Sequence, residues 1–282
     1  MARPHIEFLQ NQSLPWAPEA LLPDAWARTL SQDDETGACT MLSRMDPGLH
    51  FEQGSRIAAD EEFYVLSGCY YLNGFEYATG CYGFYPAGHP RAQAYSSEGA
   101  VILRFFDAAP RLMAADEPAP APADHAPAIP FIDAHRMLWD RSVFDYRLNH
   151  LAAGRKILRI DPITQQKTFL FMTAPQTHPT NWRGPKEHHP TPEEAFLISG
   201  DLTGEYGTMR PGSYFWRPPG IPHGPYGSLG GSLCLIRFVG GAHVNHWSDT
   251  LHSFDYKQAY EPQLPPALAL LAQPPTPLEI PF

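Results

Sequence analysis

The sequence predicts an all-β chain made of two similar domains in tandem. Two observations carry this: an internal repeat that never loses register, and turn residues that punctuate short apolar runs. The 282 residues include 31 prolines and 22 glycines, scattered among aromatic and branched side chains. That mixture suits many short strands joined by turns and is costly in helices. With 43% hydrophobic residues, the chain can bury one large core or two smaller ones.

The repeat fixes the order of the elements. EEFYVLSG at 61–68 is answered by EEAFLISG at 193–200, and GCYGFYPAGHPR at 80–91 by GSYFWRPPGIPH at 212–223. The offset is 132 residues at Glu61 and Glu193, Gly68 and Gly200, Gly80 and Gly212, Pro86 and Pro218, and Gly88 and Gly220. VILRFF from 101 against LCLIRF from 233 extends it. Chance similarity drifts in register, so the chain reads as a tandem duplication.

Each copy holds an acidic pair leading into a strand, a twelve-residue interval between glycines, a second strand, a proline–glycine turn and a closing apolar strand. Earlier strands are expected at TGACTMLSRM and KTFLFMT. AADEPAPAPADHAPAIP, 114–130, reads as an extended linker, which places the domains at 1–125 and 126–282. Residues 133–148 are open to a short helix or a strand. After about residue 258 the tail is rich in proline, alanine and leucine, with a short helix expected at ALALLAQ.

Composition also excludes. A formal net charge of −10 argues against nucleic acid or an anionic membrane as partner. No apolar run is long enough to cross a bilayer, and MARPHIEFLQNQSLPW has no signal-peptide pattern. Cys39, Cys69, Cys81 and Cys234 fit no CxxC spacing. They are expected as buried thiols of a cytoplasmic protein, although Cys69 and Cys81 flank one stretch where a disulfide is conceivable.

The chemistry gathers in copy two. WRGPKEHHPTPEEAFLISG, 182–200, supplies Glu187, His188, His189, Glu193 and Glu194. Alternate residues of a strand share a face, so Glu187 and His189 point together and His188 points away. TPE turns the chain, and Glu193 re-enters the site from the next strand. PPGIP then delivers His223 from a neighbouring strand as a fourth ligand. Two imidazoles and two carboxylates suit one divalent ion, Fe(II) favoured over Zn(II), Mn(II) or Ni(II), with positions left for a substrate.

These residues resemble the cupin superfamily, whose motifs are written G(X)5HXH(X)3-4E(X)6G and G(X)5PXG(X)2H(X)3N. Copy two meets the second from Gly212 through Pro218 and Gly220 to His223, with Gly227 where the motif has Asn. It meets the first at Glu193 and Gly200, with His189 as the second histidine and Glu187 in place of the first. The resemblance implies a metal site of Glu187, His189, Glu193 and His223. The other assignment puts His188 in place of His189, with Glu187 orienting a ligand from behind. Copy one keeps the frame and loses the ligands: Ser55 and Ile57 stand at the histidine positions and Arg91 at the last. It is expected to be metal-free, or at most to hold a small anion through Arg91.

The chain is thus similar to a bicupin with ChrR-like cupin domains, two jelly rolls with a degenerate N-terminal copy. The fold alone assigns no function. Tyr206, Trp216, Phe196, Phe215 and Tyr226 are candidate cavity walls for a planar or apolar substrate. The leading reading is a metal-dependent dioxygenase acting on a small enolisable or aromatic carbonyl compound. The others are a non-redox Lewis-acid isomerase or hydrolase, and a metal or small-molecule sensor. His243 and His246 lack ligand spacing and are expected at the surface or a domain contact. Self-association through a sheet face is expected to give a homo-oligomer, the simplest a homodimer.

Overall fold

A computed structural model describes residues 3–51, 54–119, 126–142, 145–176, 178–179, 181–274 and 282. Strand β1 (Ile6–Gln10) opens the chain. Then come β2 (Ala17–Pro18), β3 (Trp26–Gln32), β4 (Cys39–Met45), β5 (Leu49–Phe51), β6 (Glu61–Leu72), β7 (Phe75–Ala78), β8 (Cys81–Tyr85), β9 (Ala94–Ser96), β10 (Ala100–Phe106) and β11 (Ile129–Asp133). The second half holds β12 (Gly154–Ile160), β13 (Lys167–Thr173), β14 (Arg183–His188), β15 (Glu193–Gly200), β16 (Leu202–Gly204), β17 (Gly207–Met209), β18 (Ser213–Arg217), β19 (Ser232–Phe238) and β20 (His246–Ser253). The described helical residues form only short 3-10 turns, among them Ala134–Arg136, Tyr146–Leu151 and Pro266–Leu271. None is long and apolar enough to cross a membrane. The fold is all-β, two jelly rolls of the cupin kind.

One unit comprises Leu14–Met137 with Arg3; the other comprises Pro4–Ser13 and Leu138–Phe282. This differs from a single break near residue 125, a position outside the described residues. The reason lies in two similar segments, IEFLQ at 6–10 and IPFID at 129–133. β1 pairs with β18 in the second unit, and β11 pairs with β8 in the first. β8 and β18 are repeat equivalents, so each outer strand is capped by the segment that opens the opposite copy. An edge strand presents unpaired backbone groups, and these short apolar segments cover them.

In the second unit the large sheet runs β1-β18-β15-β19-β13-β12. β14 pairs β20 and β16 pairs β17. Bridges from Glu187 to His223 and from Thr203 to Gly227 seat residues 223–227 between β14 and β16. The face carrying Glu193, Ala195, Phe215, Arg217, Cys234, Ile236 and Phe238 lines an interior cavity. The opposite face carries Glu194, Phe196, Tyr214 and Trp216, also buried. The alternation follows from a side-chain period of two.

The 132-residue register holds down to single hydrogen bonds. Tyr82 donates to Glu62 at 3.1 Å, and Tyr214 donates to Glu194 at 2.8 Å. The repeated glycines have a steric cause. At Gly200, with φ +80°, a Cβ would lie 1.9 Å from the Gly231 carbonyl oxygen; at Gly68 it would lie 2.0 Å from that of Gly99. Both the left-handed backbone and the close approach exclude a side chain. Gly200→Ala is therefore expected to destabilise the protein by about 2–5 kcal/mol, read as a lower denaturant midpoint.

The four cysteines are buried free thiols. The helix expected at ALALLAQ appears as the 3-10 turn Pro266–Leu271. Residues 133–148 hold the end of β11, the 3-10 turn Ala134–Arg136 and the start of the turn Tyr146–Leu151; 143 and 144 lie outside the described residues.

Candidate metal centre

Glu187 sits near the end of β14, His189 just past it, Glu193 at the start of β15 and His223 in the turn after β18. Glu187 and His223 are locked to each other through the backbone. The Glu187 amide donates to the His223 carbonyl at 3.0 Å and the His223 amide to the Glu187 carbonyl at 2.9 Å. Gly220 donates to the His189 carbonyl at 2.8 Å. The PPGIP turn is thus sewn to the strand that carries the other two donors.

Ring orientation is fixed the same way in both histidines. His189 donates Nδ1–H to the Val244 carbonyl at 3.0 Å, and His223 donates Nδ1–H to the Ile221 carbonyl at 2.9 Å. Each therefore presents Nε2 to the interior as an acceptor, the arrangement a metal-binding imidazole needs. One donor atom each from Glu187, His189 and His223 lie within 4.8 Å of one another. Glu187 accepts from Asn245 Nδ2 at 2.6 Å through Oε2, and its Oε1 lies 3.9 Å from His223 Nε2.

Glu193 borders this group. Its Oε2 is 3.5 Å from His223 Nε2 and 3.7 Å from His189 Nε2. The same oxygen accepts from Arg217 Nη1 at 2.8 Å. Arg217 in turn donates to both oxygens of Glu7, at 2.5 and 2.9 Å, and to the Tyr226 hydroxyl at 2.5 Å. His188 faces away, stacked on His246 with ring centroids 5.2 Å apart. Of the two histidines left open by spacing, His189 is the one facing the group.

The electrostatics suit a cation. Burial and then the Glu193 carboxylate push the Glu187 carboxyl up to about 8. Burial, then Arg217 and His189, hold His223 well below the usual imidazole range, so its ring is neutral. A neutral His223 ring, the inward Nε2 of His189 and a carboxylate that resists ionisation without a positive partner form a donor set that a first-row divalent ion stabilises.

The donors open on a cavity of about 330 Å³. Phe215 and Tyr226 line it as expected, whereas Phe196, Trp216 and Tyr206 do not. Phe196 and Trp216 fall on the outer parity of their strands, and Tyr206 packs edge-on against Phe8 at 6.0 Å. Phe169, Phe171, Ile236 and Phe238 complete the apolar wall, and Arg155 and Lys167 also line it. His243 corrects its expectation as a surface residue. It lines the cavity, stacked on Phe238 at 3.8 Å and edge-on to His189 at 5.3 Å. Burial, then His189 and Lys167, push it down to about 3. The departure from Asn at Gly227 is steric, since a Cβ there would lie 2.7 Å from Phe254 Cζ and 2.9 Å from His178 Nε2.

A family profile described as "Domain of unknown function (DUF4437)" matches residues 7–245. The chain belongs to the DUF4437 family. Every donor described above falls inside that match. A provisionally assigned dioxygenase from Nostoc punctiforme PCC 73102 superposes with a TM-score of 0.73 at 19% identity, covering 90% of this chain and 92% of that one. A single-residue variant of Bacillus subtilis oxalate decarboxylase gives 0.57 at 13% identity, over 85% and 78% of the two chains. Vicilin from Corylus avellana gives 0.54 at 10% identity, over 84% and 86%. At these identities the likeness establishes the fold. No curated protein sequence matches this DUF4437 chain.

Proposed function

We propose that the second unit is the site of a metal-dependent enzyme. Its best-supported activity is an iron-dependent dioxygenase acting on a small enolisable or aromatic carbonyl compound. One observation carries the reading. Two imidazoles with locked Nδ1 atoms and one carboxylate converge from separate elements on an apolar cavity. Two histidines and one carboxylate with open positions are the donor set of non-haem Fe(II) oxygenases. The provisional assignment of one fold relative as a dioxygenase agrees with it.

Glu187, His189 and His223 would hold the ion, which supplies a Lewis-acidic, redox-capable centre with open positions. The chain does the rest. Asn245 orients the Glu187 carboxylate through Oε2. Phe169, Phe171, Ile236 and Phe238 keep water from an apolar substrate body. Such a wall disfavours a small, wholly polar diacid. Arg155 and Lys167 add positive charge to the same cavity, which favours an enolate over its neutral ketone. Arg217 bonds Glu193 through Oε2 and so positions that carboxylate beside the donors.

Elemental analysis of anaerobically purified protein tests this, paired with O2 uptake on 2,4-pentanedione as an enolisable probe. Iron near one equivalent per chain with substrate-dependent O2 uptake is the expected result. Turnover with zinc and without O2 would move the site to Lewis-acid chemistry. Bound metal with no turnover would leave a sensor. No metal after reconstitution would overturn the metal centre.

A further inference from the structure

The first unit keeps a cavity where the second unit gathers its donors, and it is larger, about 870 Å³. The Ser55–Arg91 bridge of this unit is the Glu187–His223 bridge displaced by 132 residues. Arg91 therefore stands where the second unit has His223. Its Nη1 lies 2.5 Å from Oε2 of Glu61, the counterpart of Glu193. Glu61 Oε1 accepts from Arg104 Nε at 2.5 Å, and Arg104 reaches on to Glu19.

Arg104 bonds both carboxylates, and Arg91 pairs with Glu61 through Nη1. Arg91 is only 7% exposed, yet its Nε has no hydrogen-bond partner among the described residues. The ring of Tyr85, 5.3 Å from the guanidinium carbon, fixes its plane. With Nη1 committed to Glu61, the edge formed by Nε and Nη2 remains, and this side-on fork matches a carboxylate in two parallel bonds. Tyr70 lines the same cavity at 5% exposure.

The charge on the wall points the same way. Among the described residues Arg91, Arg104 and Arg56 line the cavity against one carboxylate, Asp24; Glu61 and Glu19, bonded to the guanidiniums, do not line it. The remaining surface is apolar, with Leu21, Phe51, Ile57, Leu72 and Met113. Replacing a lost metal by an internal cation would need only the Arg91–Glu61 pair. It would not need a cavity of this size or a buried Nε left without a partner, which costs stability when the cavity is empty.

We propose that the first unit is a receptor for an organic monocarboxylate. The acid head rests on the Nε/Nη2 edge of Arg91 and the Tyr70 hydroxyl, and an apolar body fills the cavity. This site is separate from the metal centre and does not rest on its chemistry.

The test is binding of octanoate and 4-fluorophenylacetate to the full chain, by calorimetry and fluorine NMR, with a chelator present. 1-Octanol and 2-(4-fluorophenyl)ethanol serve as neutral counterparts. Each acid is expected to bind more tightly than its alcohol by about tenfold or more. Arg91→Lys keeps a cation beside Glu61 but loses the fork, and should remove about tenfold of that preference. Tyr70→Phe keeps the packing and should cost about three- to tenfold. Acids that bind no better than their alcohols would overturn the proposal. So would binding that Arg91→Lys and Tyr70→Phe both leave unchanged in folded protein, because the acid would then sit elsewhere.

Discussion

Replacement of His223 by alanine is expected to abolish stoichiometric metal retention, with a fall in affinity of about 100-fold or more. Even an outer partner of a ligand is worth 10- to 100-fold, and removing a ligand costs at least as much. His189→Ala should match it, since both rings are fixed by backbone carbonyls with Nε2 facing the third donor. Glu187→Gln should also lose the metal, because the amide carries no charge. Two further variants make the series decisive. His188→Ala should leave metal content unchanged, as its ring stacks on His246 away from the group. Glu193→Gln should have the smaller effect among the carboxylates, because Arg217 already occupies its Oε2. Equal loss from Glu187→Gln and Glu193→Gln would instead support four ligands. The measurement is metal per chain after desalting.

The same site predicts a pH dependence whose sign follows from Glu187. In the metal-free protein this carboxyl holds its proton up to about 8, while a bound cation needs the carboxylate. Uptake therefore releases a proton below that value. Affinity, read by metal titration at a series of pH values, should fall by about tenfold per pH unit as pH drops from 8.

Much of this was legible because the repeat is local in sequence. The 132-residue register located both β-frames, and the strand period of two put Glu187 with His189 and against His188. The Gly200 and Gly231 approach explains why those glycines recur. What escaped was long-range. Glu7 meets Arg217 across 210 positions, and only the resemblance of IEFLQ to IPFID hints that β1 serves the second unit. A bulge hides it further. Register shifts between Ile6 and Leu9, with Phe8 at φ 58°, so consecutive residues Glu7 and Phe8 both turn inward. His243 was missed because it belongs to no ladder; it reaches the cavity by stacking on Phe238. Phe169 and Phe171 share a parity within KTFLFMT that could have flagged them as wall residues.

Arg217→Met should be the most destabilising single change of charge in the second unit, by about 3–5 kcal/mol. The guanidinium is 2% exposed and bonds two carboxylates, Glu7 at 0% and Glu193 at 7% exposure. A methionine of similar volume leaves both carboxylates buried without their cation. The cost is that uncompensated burial, not the net worth of the pair. One outcome separates this from simple loss of packing. Glu7→Gln combined with Arg217→Met should recover part of the stability, because it removes one stranded charge. A packing defect would not respond to Glu7→Gln. That result would show that β1 is held to the second unit by apolar burial rather than by the Glu7–Arg217–Glu193 chain.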